Sequence, residues 1–163
     1  MGLTCRDVMV SPEYQSTIHP DESVALALGI IKKTKARFLP IVDENQLYVG
    51  VFTAPTLLKL ILPRAALIGM EHTGRRRGRL DNLSFMSLTK EDFAAQVELL
   101  KKEKVSDSMS NPANIPVAAP DTPVMEGIFL IHKFKRHVIL VEPTTNRFVG
   151  TVSANSVLDH VLN

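Results

Sequence analysis

Two hydroxyl-bearing residues, Thr53 and Ser153, each follow a glycine by three positions, in Gly50-Val51-Phe52-Thr53 and Gly150-Thr151-Val152-Ser153. Each is followed three positions later by a second hydroxyl, Thr56 or Ser156. A Thr or Ser just ahead of a helical stretch makes a good N-cap, because its oxygen accepts from a free N–H of the first turn. The same free N–H groups make that turn a favourable seat for phosphate or ribose. Arg37 and His137 stand immediately before apolar runs, with Lys35, Lys135 and Arg136 near them. These side chains could meet an anion, or could simply be cations at helix C-termini, where the dipole favours them. Residue type and spacing leave both roles open.

Other chemistry finds little support. Cys5 is the only cysteine, so no internal disulfide or thiolate zinc cluster can form, and it has no evident base partner in sequence. His19, His72, His132 and His160 show no paired metal spacing and are expected at the surface. No serine elbow, P-loop or HExxH motif occurs. The run Arg75-Arg76-Arg77 lacks interleaved aromatics, so a solvated loop is expected there and nucleic acid is not an expected partner. The net charge of +2 is too small to argue for one. No apolar run reaches the roughly 18–20 residues that span a bilayer. The start of the chain has neither a signal-peptide core nor a myristoylation pattern, since Arg6 stands where Ser or Thr is required. The expectation is a cytoplasmic protein, not an enzyme, with 45% hydrophobic residues to bury.

The elements that carry the hydroxyls and cations come in two copies. A shift of 100 residues aligns 5–62 with 105–162 without a gap, and 14 of 58 positions are identical. Average composition would give about three or four. Among the identities are Asp7/Asp107, Met9/Met109, Pro20/Pro120, Val24/Val124, Ile31/Ile131 and Gly50/Gly150. Each copy predicts a short strand (Ser16–Ile18, Ile115–Ala118), then a helix with Asp21 or Asp121 as N-cap and Pro123 at an early helical position. Val24, Leu28 and Ile31, or Val124, Ile128 and Ile131, share one helix face. Apolar runs over 38–42 and 138–141 predict buried strands, followed by a polar turn and a second strand, Leu47–Phe52 or Phe148–Val152. A closing helix starts at Thr53 or Ser153. The predicted class is α+β, with two β-α-β-β-α units of about 58 residues packed sheet to sheet as a pseudo-two-fold pair. The expected division is 1–62, a connection over 63–104, and 105–163. Within the connection, 63–82 reads as loop and a helix is predicted over about 90–102, docked by Phe93, Val97 and Leu100.

The ordered set Arg6-Asp7-Val8-Met9, Leu39-Pro40-Ile41-Val42-Asp43 and Gly50-Val51-Phe52-Thr53, echoed by Ser106-Asp107-Ser108-Met109 and Gly150…Ser153, resembles the cystathionine β-synthase-type (CBS) domain family. The likeness is to small stand-alone pairs of the bacterial type. It implies two clefts between the repeats, a regulatory role, and an adenosyl ligand such as AMP, ADP, ATP or S-adenosylmethionine whose binding is passed to an effector protein. It also implies a homodimer. Ligand contacts are implied at Thr17, Arg37, Pro40, Gly50, Thr53 and Thr56, and at Val117, His137, Gly150, Ser153 and Ser156. The family's G-h-x-[T/S]-x-x-D motif ends in a carboxylate, where this chain has Thr56 and Ser156. A neutral hydroxyl bonds ribose less strongly than an ionised acceptor does. A scaffold with degenerate sites is therefore the alternative. The second copy has Leu140, Glu142 and Pro143 in place of Pro, Val and Asp, so the two clefts are expected to differ.

Overall fold

The structure, a computed structural model, describes residues 2–10, 12–61 and 90–162. In chain order these form α1 (Cys5–Val8), α2 (Val24–Thr34), β1 (Phe38–Val42), β2 (Tyr48–Thr53) and α3 (Ala54–Ile61). There follow α4 (Lys90–Lys101), β3 (Val117–Ala118), α5 (Val124–Phe134), β4 (Val138–Val141), β5 (Phe148–Val152) and α6 (Ala154–Leu162). Both copies end their first helix on a lysine in the left-handed region, Lys35 (φ 60°) and Lys135 (φ 57°). Both turn their hairpin through another left-handed residue, Gln46 (φ 67°) or Asn146 (φ 63°). The class is α+β, as predicted. Residues 63–82, expected as a loop, and their arginine run lie outside the described residues, as does the Phe93 side chain. Helix α4 forms close to its predicted bounds and packs on α2 and α3.

Reciprocal hydrogen bonds join the two repeats. Tyr48 N–H donates to Asn146 O (3.0 Å) and Phe148 N–H to Gln46 O (2.9 Å). The two lead-in segments are exchanged. Cys5 N–H donates to Thr122 O (2.8 Å) and Val105 N–H to Glu22 O (2.9 Å). Val10 N–H donates to Thr151 O (2.7 Å) and Ser110 N–H to Val51 O (2.9 Å). Cys5 and Val8 are thus buried with Val138, Leu140 and Val152, while Val105 is buried with Leu39, Ile41 and Phe52. A third cluster, containing Val42, Val51, Ile115, Ile139 and Phe148, lies where the two sheets meet.

Three expectations are corrected. The N-cap of α2 is Ser23, whose Oγ accepts from Leu26 N–H at 3.2 Å, and not Asp21. In α5, Pro123 itself occupies the cap position and not an early helical one. The first strand of copy one shrinks to a single parallel bridge, Ile18 with Ile41, whereas copy two forms β3. The cause is Pro40. Its counterpart Ile139 donates its N–H to Pro116 O at 2.9 Å, a bond that proline cannot make.

That counterpart is not the one a gapless shift gives. Phe38 pairs with Thr53, but Val138 pairs with Val152, one position short of Ser153. Leu39 and Ile41 face their own helices in copy one; in copy two Val138 and Leu140 do so, and Ile139 and Val141 face the other sheet. Strand β4 is therefore advanced by one residue, and the following turn is longer by one. Hence Arg37 corresponds to Arg136, Phe38 to His137, and Asp43 to Glu142.

Candidate functional site

Strand β2 leaves its sheet at Thr53 and α3 begins at once, so the helix start sits at the sheet edge facing the second repeat. Across from it, the segment ahead of β3 brings Ile115, and β4 brings Ile139. A cavity of about 630 Å³ lies between them. Its apolar wall includes Val51, Phe38, Ile115 and Ile139, and its rim carries Arg37, Lys135, Arg136 and His137. None of the lining residues is acidic. The ring of His137 lies against Phe38, 4.5 Å between centroids and tilted by 49°. Burial, and then the Arg37 guanidinium, hold the His137 pKa below the usual imidazole value. Such a cavity suits a flat, largely apolar body that carries negative charge at one end.

Thr53 is almost fully buried and caps α3, its Oγ1 accepting from Thr56 N–H at 3.2 Å. Its hydroxyl also lies 2.8 Å from that of Thr56, which lies 2.9 Å from Ser110 Oγ. Thr56 is thus bonded within the protein and does not line the cavity. Ser153 and Ser156 cap each other reciprocally, at 2.9 and 3.0 Å. Both glycines serve close packing. A Cβ on Gly50 would stand 2.6 Å from Met109 Sδ, and one on Gly150 would stand 2.8 Å from Val10 O.

Of the residues expected at a ligand, the cavity unites Arg37, Thr53 and His137. Pro40 is fully buried in the sheet; Thr17 and Val117 are exposed and do not line the cavity, and neither do Gly150, Ser153 and Ser156. Val51, Ile115 and Ile139 went unnoticed in the sequence, because aliphatic side chains in strands look like core. Cys5 is fully buried, and burial raises its thiol pKa, which is contrary to what a nucleophile needs. Among the described residues no His, Cys, Asp and Glu group could hold a metal. No helix among them is long and apolar enough to cross a membrane.

Residues 5–63 match the family model of the CBS domain. The first repeat thus resembles a CBS domain, and the chain has the fold of CBS-pair structures. The solved structure of CBSX2, a CBS-pair protein from Arabidopsis thaliana, is 21% identical with a TM-score of 0.71, covering 99% of this chain and 96% of its own. CBSX2 in complex with AMP gives 22% and 0.68, covering 99% and 97%. A CBS-domain protein of unknown function from Bacillus anthracis gives 16% and 0.70, covering 98% and 93%. Comparison with curated proteins found no match. CBS pairs are generally regulatory rather than catalytic. The exchanged lead-ins give this CBS pair its closed frame, and the cavity lies between its repeats.

Proposed function

We propose that this CBS pair is a cytoplasmic, non-catalytic sensor that binds an adenine nucleotide in the cavity between Thr53 and Ile115. The observation that carries the reading is the cavity itself: an apolar wall for a base, a basic rim for phosphates, and no carboxylate lining it. The AMP complex of CBSX2, a protein of the same fold, supports it. Because Thr56 replaces the family's carboxylate, the ribose loses a charge-assisted bond of about 1.5–3 kcal/mol, roughly ten- to a hundredfold in affinity. Phosphate then leads recognition. ADP and ATP should bind more tightly than AMP or adenosine, and S-adenosylmethionine, with its sulfonium, should bind least. Calorimetry with these five compounds tests the order. Arg37→Ala should weaken ATP about tenfold or more and adenosine little. Equal affinities for adenosine and ATP would refute the phosphate-led reading.

A ligand-free scaffold is the second reading, favoured by the internal bonding of Thr56, Ser153 and Ser156. It becomes the better one if no adenosyl compound binds at millimolar concentration. Under either reading we propose a homodimer, because Leu58, Leu158, Val161 and Leu162 are more than half exposed on α3 and α6. A monomer by light scattering at high micromolar concentration would count against it. The effector protein would read the bound state from such a pair.

A further inference from the structure

The two-fold frame places the same backbone at two clefts, yet the side chains there differ. Val51 and Ile115 both line the cavity. Their counterparts 100 positions away are Thr151 and Gln15. The backbone bonds that bring each lead-in onto the facing sheet are equivalent, Ser110 N–H to Val51 O and Val10 N–H to Thr151 O. In the first cleft two aliphatic side chains face the space between the repeats and offer no hydrogen bond. In the second, the fully buried Thr151 donates its hydroxyl to Gln15 Oε1 at 2.8 Å. The same amide group is tied on its other side, Gln15 Nε2 donating to Ser16 O at 3.2 Å. The amide is therefore held at both ends. A base that displaced Gln15 would break the Thr151–Gln15 bond and, unless it supplied an acceptor in the same place, would leave a buried hydroxyl without a partner, a penalty on binding. A base seated against Val51 and Ile115, which share one apolar cluster and both line the cavity, breaks no such bond.

We propose that Gln15 and Thr151 close the second cleft, so that the pair takes one nucleotide per chain, at Val51 and Ile115, and binding breaks the two-fold symmetry. This rests on the nucleotide reading above and specifies its stoichiometry and the residues that set it.

Calorimetry with ATP, on the full chain, reads the number of sites directly. One ATP per chain is expected. Gln15→Ile with Thr151→Val gives the second cleft the side chains of the first and should raise the number to two. The mirror pair, Val51→Thr with Ile115→Gln, gives the first cleft the amide bridge and should weaken ATP at least tenfold, with melting curves confirming that each variant is folded. Hydrogen exchange on the unaltered protein keeps the test open if a variant does not fold. ATP should then protect residues 51–56 and leave 151–156 unchanged. Two ATP per chain, protection of both segments, or undiminished binding by the folded mirror pair overturns the single site while the nucleotide reading stands. No heat with millimolar ATP overturns both.

Discussion

At His137, a proton and an anion are coupled. The ring is half-buried, with Phe38 against it and Arg37, Lys135 and Arg136 sharing its cavity rim. Its folded pKa is depressed, by burial first and by Arg37 second. The unfolded chain therefore takes the proton more readily, and the stability that this histidine contributes declines as pH falls below about 6.5, the ordinary imidazole value. His19, its pKa raised by the hydrogen bond to Glu44, works the other way. A phosphate in the cavity supplies the missing negative charge and raises the His137 pKa. Binding then takes up a proton, so ADP affinity should increase between about pH 8 and about pH 6. Calorimetry in buffers of different ionisation enthalpy measures the uptake. His137→Gln should remove that uptake and keep the affinity near pH 8 within about threefold; an uptake unchanged by the substitution would show that another group carries it. Arg37, Thr53 and His137 were legible in the sequence because polar and charged side chains declare their chemistry. Val51, Ile115 and Ile139 were not, because the same residue types fill every core.

At the scale of elements, the glycines of β2 and β5 hold the exchanged methionines. The atoms nearest a Cβ on Gly50 all belong to the Met109 side chain, whose thioether can move aside. Gly150 faces both the Val10 carbonyl, 2.8 Å from a built Cβ, and Met9 Sδ at 2.9 Å. Backbone does not yield as a side chain does. Gly150→Ala should cost about 1–3 kcal/mol by overpacking, and Gly50→Ala distinctly less. Paired urea melts check the order, and equal losses would mean that the Val10 carbonyl shifts freely. The register of β4 belongs to this scale as well. Alternation between polar and apolar residues is what pins a strand's register. The runs 38–42 and 138–141 are apolar on both faces, so a one-residue advance changes no pattern that sequence could reveal. The early loss of the first strand follows from Pro40, a signal that was present, but its hydrogen-bond partner was hidden until the register was known.

For the whole molecule, exchange of the lead-ins means that each repeat's core is completed by residues from the other copy's sequence range. Val8 is 3% exposed and sits with Val138, Leu140 and Val152. Val8→Ala should cost roughly 1–3 kcal/mol. In hydrogen exchange, the lost protection should appear first in β4 and β5, more than 100 residues away, and not in β1 and β2. Loss confined to the first repeat would contradict the exchange. The same crossing predicts one cooperative unfolding transition for both repeats, because neither core is whole without the other's lead-in.

The duplication, the α+β class, the order of elements and the hydroxyl and basic residues that could recognise a nucleotide are all legible in the order of the residues. Those rest on local rules: helical spacing, capping chemistry and self-similarity along the chain. The tertiary structure alone decided which copy each lead-in completes, the one-residue advance of β4, the seating of Thr56 against Ser110, and the contrast between Val51–Ile115 and Thr151–Gln15. These depend on contacts between residues far apart in sequence. A hydroxyl or an amide looks the same in sequence whether it waits for a ligand or is already bonded across a cleft, and only the position of its partner separates the two.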